Sequence, residues 1–232
     1  LDTIQQHFQD EEQNEKLHIC ISSQHYAFVA DAFIQFQKML EGQAYELFLL
    51  EGRTSEIIEA VSTQQSDFGV ICLSSSTERF MGKLFHSKGL EFHEIRSFHP
   101  HVFLRKNHPL ASLPQISLAQ LAPYPYVAYN QGEDSFYFSE ETLAVRQPRQ
   151  TVYVKDRATM NNIIVHTNSF NIGTGCLLDG IIDSQLVSIP VSGDVEPIHI
   201  GWIASKERIS SKESTILLRL ICESLERCFF GF

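Results

Sequence analysis

"LHICISSQHYAFVADAF", residues 17–33, decides the fold. An apolar run, 17–21, stops at two serines, a glutamine and a histidine. Helical spacing starts at once: Phe28, Val29, Ala32, Phe33, Phe36 and Leu40 share one face of a predicted helix over 24–40, and Gly42 stops it. A strand that runs straight into a helix is the unit of an α/β sheet. The unit repeats. Residues 45–50 are a second apolar run, 53–65 are helical through Ile57, Ile58 and Val61, and 68–73 ("FGVICL") are a third strand. Strands this uniformly apolar are buried on both faces, which implies a parallel sheet covered by helices.

Working outward, a fourth strand over 90–96 leads into "SFHPHVFLRKNHPLA", punctuated by Pro100 and Pro109. A second set then starts. Strands are expected over 126–129, 150–154, 170–173, 186–189 and 197–204, and helices over 133–143, 157–166 and 214–230. The chain passes between the sets near Phe98 and again near Pro190, and the last helix returns to the first. The fold class expected is therefore α/β, two Rossmann-like lobes with a hinge and an interlobe cleft. Residues 17–98 with 191–232 form lobe I and 99–190 form lobe II. Residues 1–16, polar and rich in Gln and Glu, read as the remnant of a linker helix.

The 232 residues are 43% hydrophobic and 20% charged, which is ordinary for a globular chain with a real core. The first residue is Leu1, so a fragment or a processed chain is expected. A formal charge of -10 repels a phosphate backbone, so nucleic acid is not expected to bind this piece. No apolar run reaches the ~20 residues of a membrane span, and no signal segment precedes the first strand. Cys20, Cys72, Cys176, Cys222 and Cys228 form no CxxC pair. An odd count without framework spacing implies reduced thiols in a cytoplasm.

Ligands of open α/β sheets bind beyond the carboxyl ends of the strands, where helix starts offer unpaired N–H groups and a positive dipole end. Ser22, Ser23 and Gln24 stand at such a junction. They suit a small anionic group, but serine is also an ordinary helix cap, and the two readings weigh equally there. Other junctions repeat the theme: Arg53 and Thr54 in "LLEGRTSE", Ser74 in "ICLSSSTE", Tyr129 and Asn130 in "VAYNQGED", Arg157 and Thr159 in "VKDRATMNN", Gly173 and Thr174 in "FNIGTGC". Each alone reads as turn or cap chemistry. Convergence on one side of two sheets favours a ligand site for the set. Arg157 is the most specific member, because a guanidinium can hold a carboxylate bidentately. Its alternative is an ion pair with Asp156 or a nearby Glu.

No catalytic residue is expected: GxSxG, HExxH and P-loop patterns are missing, and no paired acid and base has recognisable spacing. His99 and His101 flank Pro100 without a third ligand, so no metal and no cofactor are expected. The 24–40 stretch is apolar over more than one stripe, as is the C-terminal helix. A homodimer built through the 24–40 helix and lobe II explains the surplus, against burial within the monomer.

"ISSQHYAF", "DFGVICL", "HVFLRKNHPLA", "DRATMNNII" and "FNIGTGCL" followed by "LVSIPV" resemble, in order and spacing, the effector-binding domain of LysR-type transcriptional regulators. The resemblance runs from about Leu17 to Phe232. It implies two lobes as in periplasmic binding proteins, with a small effector between them. It also implies an N-terminal winged helix-turn-helix that this sequence does not carry, DNA contact only through that part, side-by-side dimers and a tetramer at full length. By family position the effector contacts fall on Ser22, Ser23, Gln24, Ser74, Tyr129, Asn130 and Thr174. "SQHY" and "DRAT" look closest to Gram-positive regulators of cysteine and methionine metabolism, which implies an amino-acid-like or acetylated amino-acid effector. Ile21 stands where some relatives carry a hydroxyl, which argues against an inorganic oxyanion. The expected function is thus cytoplasmic sensing of a small anionic or amino-acid-like metabolite. A transporter's solute-binding protein is the alternative, and an enzyme on the same fold comes after it.

Overall fold

The computed structural model describes residues 16–132, 138, 148–178, 180–182, 184–207 and 211–230. The helix expected over 133–143, apart from Phe138, and nearly all of the 1–16 segment lie outside those residues.

The first sheet has the order β2-β1-β3-β11-β4. Its strands are β1 (Leu17–Ser23), β2 (Tyr45–Glu51), β3 (Phe68–Ser74), β4 (Leu90–Phe98) and β11 (Ile198–Ser205). β1 pairs parallel with β2 and β3. β11 runs antiparallel to both β3 and β4, so the sheet is mixed rather than all parallel. β1 and β3 fulfil the expectation of strands buried on both faces. β2 does not: it is an edge strand, with Phe48 and Leu50 exposed. Its even apolar run could not report that nothing pairs with its outer side among the described residues.

The helices of this lobe are α1 (Ala27–Met39), α2 (Thr54–Ser62), α3 (Glu78–Ser87) and α6 (Lys212–Phe230). α1 and α6 cover one face of the sheet, joining Phe28, Val29, Ala32 and Phe36 to Leu217, Ile221 and Leu225 in one core cluster. α2 and α3 cover the other with Ile57, Ile58, Val61, Met81 and Phe85. Burying an apolar side chain of this size stabilises by about 1.5–3 kcal/mol. Sequence periodicity missed α3, because Gly82 interrupts it and only Met81 and Phe85, four apart, are buried.

The second sheet, β6-β10-β5-β9, contains β5 (His101–Arg105), β6 (Ile116–Ser117), β9 (Asn171–Gly173) and β10 (Leu186–Ser192). Beside it lie β7 (Tyr126–Tyr129) and β8 (Thr151–Val154), a parallel pair tied in through the Tyr126–Phe170 bridge. The short helix α4 (Leu118–Leu121) starts at Ser117, whose side chain caps it. α5 (Arg157–His166) packs Met160, Ile164 and Val165 against Val127, Val154 and Leu186. β5 was hidden between two prolines, yet Val102 and Leu104 alternate inward as a half-buried strand should.

The expectation that all five cysteines are reduced is corrected. Cys176 and Cys228 are joined by a disulfide, Cα–Cα 4.9 Å, while Cys20, Cys72 and Cys222 remain thiols. The partners lie 52 residues apart. No spacing rule could pair them; the fold does so by packing the segment after β9 onto the end of α6.

Candidate functional site

α1 begins later than the sequence suggested. Its cap position is Tyr26, with no side-chain cap bond, and β1 runs on through Ser23. The cap reading does not describe the serines here. Ser22 is buried with its hydroxyl on Ser66 Oγ at 2.5 Å, and Ser23 Oγ donates to the Gln24 carbonyl at 2.6 Å. Gln24, fully buried, is a cross-brace. Its Oε1 accepts from the Cys72 N–H at 2.7 Å and from the Tyr26 hydroxyl at 2.8 Å. Its Nε2 donates to Thr54 Oγ1 at 2.5 Å. One side chain thereby fixes the ends of β1 and β3 to the start of α2.

Thr54 is equally committed. Its N–H donates to Gln131 Oε1 at 3.1 Å and its hydroxyl to the Phe138 carbonyl at 2.8 Å. The start of α2 is thus held by groups from the second half of the chain. Ser74 bonds with Ser76 and Thr77 at the end of β3. Thr159 serves the cap of α5: its N–H and its hydroxyl both donate to Asp156, each at 2.8 Å. Those bonds, the backbone one foremost, hold the Asp156 carboxyl below the usual range.

The remaining candidates converge. Tyr129, Arg157, Gly173 and Thr174 line one cavity of about 80 Å³. Its other walls come from the start of α1 at His25 to Phe28, from Phe103 of β5, from α5 at Met160, Asn161 and Ile164, and from Ile172, Cys176, Leu177, Ile182 and Leu186. A polar hollow beside it, of about 270 Å³, is lined by Glu51, Arg53, Glu56, Asn130 and Lys155, among others, and shares His25 and Tyr129. The His25 and Tyr129 rings stack between the two, centroids 4.0 Å apart. His25 Nε2 also meets the Lys155 carbonyl at 3.0 Å.

Arg157 is the charged group of the main cavity. Its Nη2 donates to Glu51 Oε1 at 3.1 Å, across 106 residues of sequence, so its partner is neither Asp156 nor any neighbour in the chain. Its Nη1 is buried and meets no hydrogen-bond partner among the described residues. The ion pair, the His25 contact and the Thr54–Gln131 bond tie the first sheet's strand ends to the second lobe.

Gly175, just past the candidate pair, has φ +88, and a Cβ there would lie 2.6 Å from the His101 ring. Glycine is required by both conformation and space. His101 bonds Ser188 Oγ at 2.9 Å, and burial, with the nearby His99 adding, lowers its pKa. Among the described residues no group of three or more His, Cys, Asp or Glu could hold a metal ion, and no helix is long and apolar enough to cross a membrane.

Sequence reasoning missed His25, Glu51, Phe103, Met160, Asn161 and Asn171. His25 was in view as the last residue of "SSQH", where a ring between strand and helix was a usable signal. The apolar lining had none, since it reads as core.

Residues 11–224 match the family described as the LysR substrate binding domain. No curated protein matches the chain. Solved structures do. The effector binding domain of QuiR in complex with shikimate is 14% identical, covering 92% of this chain and 99% of its own, with a TM-score of 0.59. A putative LysR family transcriptional regulator from Pseudomonas aeruginosa is 14% identical over 96% of this chain and 77% of its own, at 0.59. An H2O2-bound mutant OxyR from Corynebacterium glutamicum is 10% identical over 98% and 74%, at 0.62. Identities this low establish the shared two-lobed fold.

Proposed function

The chain belongs to the LysR substrate binding domain family, and from that membership we propose that it is the ligand-sensing part of a cytoplasmic LysR-type regulator. A small anionic metabolite binds between lobe I and lobe II, divided as expected near Phe98 and near Pro190 except that Val191 and Ser192 stay with lobe II. The return crossing lies just past Ser192, through which β10 still pairs with β6. The observation that carries the reading is the cavity itself. The start of α1 forms one side, α5 and β9 the other, and Arg157 is among the lining residues.

An effector that binds this closed arrangement better than an opened one shifts the balance between lobes by its differential affinity. The dimer then passes the change to DNA-binding parts. We assign the dimer contacts to α1 and lobe II. α6 covers one flank of α1 through Asp31, which Ser224 and Arg227 both contact, and so takes part of its apolar surplus. Ile34 and Met39 stay exposed on α1, as do Val152 and Tyr153 on β8. Apolar patches on both lobes suit a reciprocal two-fold pair, and two such pairs a tetramer at full length.

The test is thermal unfolding of the folded protein with amino acids, their acetylated and sulfur-containing relatives, and other small acids. A ligand at 100 times its Kd adds about 2.7 kcal/mol. That is a rise of roughly 5–10 °C for a chain of this size. No stabilisation by any small anion would refute the reading.

A further inference from the structure

Resting on the sensing reading only for what the cavity does, we propose that the Cys176–Cys228 disulfide is a reversible exchange site for a small thiol or dithiol reductant, and that its reduction releases one wall of the cavity from lobe I. The place of the pair in the fold carries the argument.

Cys176 follows β9 and belongs by chain order to lobe II, whereas Cys228 stands in the last turn of α6, in lobe I. The bond therefore joins the lobes at a point other than the two chain crossings. Residues around Cys176 divide between the two cores. Cys176 and Leu178 pack into the first-lobe cluster that holds Phe28, Ile221 and Leu225. Leu177 and Ile182 pack into the second-lobe cluster that holds Met160, Ile164 and Leu186. Gly173, Thr174, Cys176, Leu177 and Ile182 also line the cavity. One stretch of chain is thus both the seam between the lobes and a wall of the cavity, and the disulfide is fixed to it.

Little else fastens this stretch to α6. Among the described residues, the hydrogen bonds of 174–178 stay within its own turns. The Cys176 N–H donates to Thr174 Oγ1 at 3.4 Å, and the Ile181 and Ile182 N–H groups donate to the Leu178 carbonyl at 3.2 and 3.0 Å. What remains is apolar contact, which is non-directional and lets a segment lift or slide, plus one covalent bond, which does not. Segments with so few fixed partners open more easily than the sheets they join.

The chemistry balances with an external thiol. Cys228 is half-buried and Cys176 only 5% exposed, so an incoming thiolate attacks Cys228 Sγ. The Cys176–Cys228 bond breaks, its electron pair leaves on Cys176 Sγ, and that sulfur takes up a proton. A second reductant thiolate then attacks the reductant sulfur of the mixed disulfide, and Cys228 leaves and is protonated. Two reductant thiols become one reductant disulfide, while two electrons and two protons pass to the protein. An oxidised disulfide of the same class drives the reverse. A reducing cytoplasm supplies such thiols, and disulfides that form there are mostly transient. Cys222 does not reshuffle the pair: burial, with Glu226 and Glu223 adding, pushes its thiol up and keeps the proton on. Cys20 and Cys72 are buried thiols on β1 and β3.

The experiment treats the folded protein with excess reduced glutathione, then with oxidised glutathione. Acid-quenched, unfolded and alkylated samples should go from three labelled cysteines, Cys20, Cys72 and Cys222, to all five, and back to three. Methyl NMR of the same samples should show the Leu177, Leu178 and Ile182 signals shifting on reduction, with those of Ile57 and Ile58 on the far side of the first sheet in place. Cys228→Ser should show the reduced positions without reductant and no further change on adding it; Cys176→Ala checks the same from the other partner. A pair that stays oxidised in excess glutathione would overturn the exchange site. Reduction without movement of the Leu177, Leu178 and Ile182 signals would overturn the release of the wall. Signals lost together across both lobes would make the bond a general staple and overturn it as well. None of these readouts involves a ligand, so the sensing reading is decided separately by the screen above.

Discussion

Gln24→Met replaces the buried cross-brace with a side chain of similar length and no amide. It removes three hydrogen bonds: from the Cys72 N–H, from the Tyr26 hydroxyl, and to Thr54 Oγ1. At about 1 kcal/mol per bond the loss is ~3 kcal/mol. It approaches ~5 kcal/mol where the buried Cys72 amide bears its full desolvation penalty. Added apolar contact from the methionine offsets only part of this, because the site is already closed. At roughly 2–4 °C per kcal/mol the midpoint falls by about 6–12 °C or more. Guanidinium unfolding followed by circular dichroism, beside a thermal scan, measures both numbers. Gln24→Glu keeps the shape but places a carboxylate in a fully buried position, and its deficit should shrink as acid protonates it. A midpoint within 2 °C of the parent for Gln24→Met, with an unchanged denaturant slope, would show that α2 is not held through this side chain.

Gly175→Ala should lower stability by about 1–3 kcal/mol, since its φ of +88 and the His101 ring 2.6 Å away both resist a Cβ; chemical denaturation checks it. His101 has a native pKa below its unfolded value, so the unfolded chain takes up its proton first. Stability from this group is complete above about pH 6.5 and declines as the pH falls toward the depressed native value, and His101→Gln should flatten that limb of a pH–stability curve. Cys228→Ser should cost roughly 2–4 kcal/mol through the 52-residue separation its disulfide spans, and dithiothreitol should lower the parent's midpoint toward the variant's.

The strands were legible where burial was two-sided, as at β1 and β3, and misleading at β2, where an apolar run stands on an open edge. α3 and β5 escaped because Gly82 and the flanking prolines broke their patterns. For the site, the residue types at the strand ends were readable, but their allegiance was not. Tyr129, Arg157, Gly173 and Thr174 meet in one cavity, whereas Ser22, Ser23, Gln24 and Thr54 are buried and hydrogen-bonded within the protein. The difference lies in partners such as Ser66, Gln131 and Glu51, which are 44, 77 and 106 residues away and belong to no local pattern.

β11 lies between β3 and β4, yet about a hundred residues separate it from β4 along the chain. On a ribosome, a nascent chain carrying only the first four strands holds a sheet with a missing slat. At 5–20 residues per second that opening persists for roughly 5–20 s. The middle of the polypeptide, 101–192, has all its own strands before the beginning does. Birth order and completion order are therefore reversed in this molecule, and the two raw strand edges need shelter for as long as the slat is unmade.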